Sequence, residues 1–200
     1  MADSLDMATP DDKATLHQYL GEGRASLRWK LEGLGEYDVR RPLTPTGTNL
    51  LGLVKHVATM EALYFGECFD RPFPEPMPWA SEEAEPNADF WATPEESKED
   101  IAAFYDRACA HADATIAATD INAIGHVRWW GGAEVTLHKI LVHMVAETHR
   151  HTGHADIVRE LVDGEVGFLP DDSNMIDEDG TWWARYADRL DAVARQFVQP

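Results

Sequence analysis

Apolar residues recur along the chain at steps of three and four, and they alternate with polar ones over no sustained stretch. Leu16, Tyr19, Leu20, Leu27, Leu31 and Leu34 predict a first helix over about 11–34, with Asp11 or Asp12 as its cap. Gly21 and Gly23 fall inside it and weaken its middle. A second helix over about 49–69 carries a wide apolar stripe of Leu50, Leu53, Val54, Val57, Met60, Leu63 and Tyr64, so it should be largely buried. Thr93-Pro94-Glu95-Glu96 has the form of a helix start: a capping hydroxyl, proline at the first helical position, and a carboxylate three residues on. The third helix then runs through Ile101, Phe104, Tyr105, Ala108, Ala112 and Ile116. The fourth, over about 135–163, is the most regular, and Gly164 is placed to end it. A last helix over about 181–197 presents Trp182, Trp183 and Tyr186, read here as its packing face.

The connections are marked by turn chemistry. Residues 40–48 hold Pro42, Pro45 and Gly47 and form a connector. Residues 70–87 contain Pro72, Pro74, Pro76, Pro78 and Pro86, which rules out a helix or a central strand and implies a surface excursion able to act as a lid. The Trp129-Trp130-Gly131-Gly132 stretch reads as a turn pinned by aromatic packing, or as the rim of a pocket. No segment predicts a strand. The expectation is an all-α protein: a four-helix bundle with an additional C-terminal helix, one domain over residues 11–200, preceded by a flexible N-terminus over 1–10.

Composition narrows the functional classes. Lys and Arg total 17 against 36 Asp and Glu, a formal charge of −19, which disfavours a nucleic-acid partner. No run of apolar residues is long enough for a membrane helix. The acidic start of the chain lacks the cationic and apolar segments of a secretory signal, and Cys68 and Cys109 form no paired motif, so a cytoplasmic setting is expected.

The fourth helix breaks the apolar rule of a bundle core. At about 100° per residue, Glu147 and His154 lie about 40° and about 60° from His151, beside the stripe of Leu137, Leu141 and Met144. His143 sits at the margin of this arc, and His149 falls about 160° away. His56 lies on the apolar stripe of the second helix. A single inward histidine is ordinarily a hydrogen-bonded core residue, and a Glu four residues before a His can be a simple surface pair. An inward Glu147 needs a counter-charge, however, and a metal held with His151 and a third ligand from a facing helix supplies one. Imidazole and carboxylate suit Zn, Ni, Fe or Mn. His154 could be a ligand, a residue behind the ligands, or a pocket base.

The stretches LRWKLEGL, RRPLTPTGTNLLGLVKHVATMEALYFGECF and HMVAETHRHTGHADIVREL resemble the DinB-like superfamily of small helical metalloenzymes (DinB/YfiT-like), and within it an actinobacterial branch known as mini-circle proteins. The resemblance implies a divalent metal ion held by His56, Glu147 and His151, the Glu–His spacing being that of mycothiol-dependent maleylpyruvate isomerase relatives. Many relatives have His where this chain has Glu147 and Gln where it has His154, which leaves a second ligand set of His56, His151 and His154 open. The resemblance also implies a thiol S-transferase with mycothiol as cosubstrate, a small-molecule electrophile as its other partner, and His154 as a catalytic residue that orients the thiol or moves a proton. Metal-dependent hydrolysis with the same ligands, and a non-catalytic metal-stabilised bundle that binds a ligand or partner, are the competing expectations. A homodimer is compatible with either.

Overall fold

The structure, a computed structural model, describes residues 9–198. The N-terminus expected to be flexible lies mostly outside these residues; Thr9 and Pro10, its last positions, already belong to the first helix. Six α-helices and one two-stranded hairpin make up the described chain: α1 Pro10–Trp29, α2 Glu36–Arg40, α3 Leu50–Phe65, α4 Lys98–Ala118, β1 Ile124–Val127, β2 Ala133–Thr136, α5 Leu137–Asp163 and α6 Gly180–Ala194. Helices α1, α3, α4 and α5 form the bundle. The tightest pairs are α3 with α4 and α1 with α5, and α3 also meets α5 along the seam between the two pairs.

Local chemistry explains the boundaries. Thr9 and Asp12 close a capping box at the start of α1, with Pro10 at the first helical position. Asn49 caps α3 by accepting from Gly52 N–H at 2.7 Å. Helix α4 starts at Ser97 and not at Thr93. Ser97 and Asp100 form its capping box, while Glu96 accepts from the Thr93 N–H, as the earlier start signal provides, and also from buried Lys55. Helix α5 ends at Gly164, which adopts φ 82°.

Three further expectations are corrected. The first helix stops at Trp29, and a short separate helix, α2, follows. A hairpin exists where no strand was expected: Ile124 pairs with Thr136 and Val127 with Ala133. Its turn needs two successive left-handed residues, φ 69° and 77°, which Gly131 and Gly132 supply. Trp182, Trp183 and Tyr186 do not pack on the bundle. They stack on one another, no α6 side chain is buried, and the helix packs substantially only against the 3₁₀ turn Arg195–Phe197 that follows it.

The core has two apolar clusters, one around Leu27, Leu53, Val57 and Phe104 and one around Phe65, Ile116, Leu137 and Met144. Charge is buried among them. Arg24 of α1 donates two hydrogen bonds to Glu61 of α3, at 2.8 and 2.6 Å, and a third to Asp113 of α4 at 2.6 Å. Glu61 is fully buried. Lys30, also fully buried, reaches Asp156 at 2.7 Å and the Gly167 carbonyl, tying the chain after α5 back to α1.

Candidate metal centre

Helices α3 and α5 face each other with His56 on one and Glu147 and His151 one turn apart on the other. One donor atom from each of these three residues lies within 4.8 Å of the other two. Nε2 of His151 is 2.9 Å and Nε2 of His56 3.3 Å from the same oxygen, Oε1 of Glu147. The two rings meet edge to face with centroids 4.7 Å apart. Both histidines are buried and Glu147 is half-buried.

The orientation of α5 comes from its packing on α1. Thr152 donates to the Gly23 carbonyl at 3.2 Å, and Thr148 and His149 lie against Gly23. His149, expected to point away from the inward arc, does so, with its Nε2 3.0 Å from the Tyr19 carbonyl.

The second nitrogen of His56 is engaged. Nδ1 donates to Asp89 at 2.7 Å, and the Phe90 ring stacks on the imidazole at a centroid distance of 3.9 Å. With its Nδ1 proton given to Asp89, an uncharged imidazole at position 56 faces the Glu147 oxygen with the Nε2 lone pair, whereas a charged one donates a hydrogen bond to it. A lone pair facing a carboxylate is repulsive unless a cation or a shared proton lies between them. Burial pushes the Glu147 carboxyl up, but the hydrogen bonds and charges of His56 and His151 outweigh it and hold the group below the usual carboxylate range. Burial and the neighbouring His56 push His151 down, toward the neutral form that a metal ligand requires. Two imidazoles and one ionised carboxylate on facing helices fit a divalent metal with open positions.

A cavity of about 430 Å³ lies beside these residues, lined by Thr48, Asn49, Leu53, Phe90, Trp91, His151 and His154 among others. His154 is exposed on its wall, its ring 5.4 Å from that of His151, and it is not one of the three converging residues. On the hairpin side His143 packs against Tyr64 and Trp130, and the Trp129 indole donates to the Tyr64 hydroxyl at 3.2 Å. Trp129 and Trp130 thus pack on Tyr64 instead of lining the cavity that contains His151. Cys109 is held far up by burial and by Glu61, and Cys68 is pushed up to about 11 by burial, so neither is an activated thiol.

Asp89 was not anticipated. It lies just beyond the proline-rich stretch, in a connection from α3 to α4 with many acids and no periodicity, so nothing local marks it. The rule that a metal-binding histidine gives its other N–H to a carboxylate calls for an acid behind His56, but does not say which of the chain's acids it is.

Residues 15–164 match the family described as MST, mycothiol-S-transferase. No curated protein matches the chain. Among solved structures, a conserved protein from Enterococcus faecalis superposes with a TM-score of 0.56 at 14% identity, over 76% of this chain and 97% of its own. That likeness is one of fold. The family match runs from within α1 to just past the end of α5, including every converging donor, and on that match the chain belongs to the mycothiol-S-transferase family, a DinB/YfiT-like family.

Proposed function

We propose that this protein is a metal-dependent transferase that joins a low-molecular-weight thiol of the mycothiol type to a small electrophile. The observation that carries the reading is the convergence of His56, Glu147 and His151 beside an open cavity, in a chain of this family. A divalent metal bound there would lower the pKa of a thiol and favour the thiolate at neutral pH. His56, Glu147 and His151 would hold it. Phe90 and Trp91 wall the cavity and keep water from one side. His154, exposed on the same cavity, would accept the proton that the thiol gives up; the sulfur then bonds to the electrophilic carbon as the displaced electron pair leaves with the departing group, or moves to the adjacent atom where nothing departs.

The test begins with metal content, by mass spectrometry on protein purified without an affinity tag. Near-stoichiometric metal in the wild type, lost in His56→Ala and His151→Ala, is expected, followed by metal-dependent consumption of thiol with an electrophile panel. A wild type that stays metal-free after reconstitution with Zn, Ni, Fe and Mn overturns the reading. Metal-dependent turnover without thiol would replace it with hydrolysis, and His154→Ala at wild-type rate would remove that residue from the scheme.

A further inference from the structure

The excursion between α3 and α4 is fastened to α3 at several points around His56. Asn49 donates its amide to the Phe90 carbonyl at 3.1 Å. The buried Lys55 ammonium donates to the Trp91 carbonyl at 3.0 Å and to Glu96 at 2.9 Å, and it lies 4.2 Å from the Trp79 ring centroid. Trp79 in turn donates its indole N–H to Thr59 at 2.9 Å. At Gly52 the approach is closest: a Cβ there would collide with the Phe90 carbonyl. Glycine at position 52 is what lets the backbone of residues 88–90 lie down on the helix.

Asp89 stands apart from these anchors. Its hydrogen-bond partner is Nδ1 of His56, and the loop is secured on either side of it without its help. Phe90 clamps the face of the same ring that Asp89 holds by its edge. His151 has no comparable support, because its Nδ1 is buried with no hydrogen-bond partner among the described residues. The carboxylate thus acts on one imidazole of the two.

We propose that Asp89 is a positioning residue of the metal centre, and that docking of the excursion on α3 sets the centre's affinity for metal. The proposal rests on the metal reading above. Asp89 fixes the tautomer that directs Nε2 toward Glu147, and its negative charge makes that nitrogen a stronger donor. The excursion is then a part of the centre carried on a loop. By linkage, whatever lifts the loop weakens the metal, and the metal holds the loop down to the same extent.

The experiment is a titration of the apo-protein with Zn²⁺ against a chromogenic chelator, in the wild type, Asp89→Ala, Asp89→Asn, Gly52→Ala and His56→Ala, with far-UV circular dichroism confirming the fold of each. Asp89→Ala is expected to bind about 10–100-fold more weakly than the wild type. Asp89→Asn keeps an acceptor for the Nδ1 proton without the charge, so its loss should be smaller. With Co²⁺ bound, its visible absorption bands should shift, a change that a purely structural role would not cause. Gly52→Ala, which displaces the loop while leaving all donors in place, should weaken binding as Asp89→Ala does. Binding by the wild type that is lost in His56→Ala but kept within about twofold in Asp89→Ala sinks the positioning role alone. Wild-type affinity in Gly52→Ala sinks the role of loop docking. A wild type that binds neither Zn²⁺ nor Co²⁺ removes the metal reading, and this inference with it.

Discussion

Replacing Arg24 with Met should be among the most damaging single changes in the molecule, although position 24 is remote from the candidate metal centre in sequence and chemistry. The side chain volumes are similar, so no large cavity opens. What is lost is the partner of Glu61, a carboxylate with no exposed surface that receives two of the three guanidinium hydrogen bonds. Removing one member of a buried pair leaves an uncompensated charge and costs about 3–5 kcal/mol. For a chain of this length that is a fall of roughly 6–20 °C in Tm. Asp113, the third member, is about half exposed and keeps His17 at 2.8 Å, so it adds little to the loss. The double replacement Arg24→Met with Glu61→Leu removes the stranded charge too, and should recover stability to within about 1 kcal/mol of the wild type or beyond it. Urea unfolding followed by circular dichroism, with chelator in every sample, measures both. A loss below about 1 kcal/mol in the single variant, or a double variant no better than the single, would refute the argument that an unpaired buried carboxylate dominates.

Two further outcomes are expected. Burial raises the Asp113 carboxyl, but Arg24 and His17 outweigh it and leave the group below its ordinary value. Its contribution is therefore full above the unfolded pKa of about 4 and is lost as pH falls through the lower folded value, so Asp113→Asn should flatten the acid side of a plot of urea midpoint against pH. A chain ending at residue 179 should unfold within about 0.5 kcal/mol of the full chain, because α6 buries no side chain; a loss of more than about 2 kcal/mol would show that α6 packs on the bundle in solution.

What could be read in the sequence follows physical range. The convergence of His56, Glu147 and His151 was legible only in part: helical periodicity is local and puts Glu147, His151 and His154 on one arc and His56 on an apolar stripe, but it does not choose between Glu147 and His154, a choice that came from the family resemblance. The end of α5 was legible in Gly164 for the same reason. The start of α4 was ambiguous, since Thr93…Glu96 and Ser97…Asp100 both carry the start signal. Both boxes form their backbone-to-carboxylate hydrogen bond, and nothing in the local pattern says which one continues into the helix. Asp89 depends on where a loop without periodicity lands, and its landing depends on a missing Cβ at Gly52. The aromatic residues of α6 have the pattern of a packing face, but pattern alone does not bring a partner within reach. The hairpin was missed because each strand has only four residues, too short for alternation to stand out.

The contact of α1 with α5 has a consequence for rotation. Helix α1 contributes none of the three donors, yet Gly23 and the Tyr19 carbonyl fix the roll of α5 about its own axis. The tips of helical side chains sit about 5–6 Å from that axis, so a roll of about 2° moves one by about 0.2 Å, and a roll of about 20° moves it by about 2 Å. Ligand distances in metal sites tolerate about 0.2 Å. With a metal held by these residues, the angular setting of α5 would have to stay within a few degrees, and the contacts that set it are a glycine, two threonines and a histidine on the far side of the helix. Substitutions along that line, remote from every donor atom, would detune the centre as a gear slipped by a fraction of a tooth, with each donor still present and none in register.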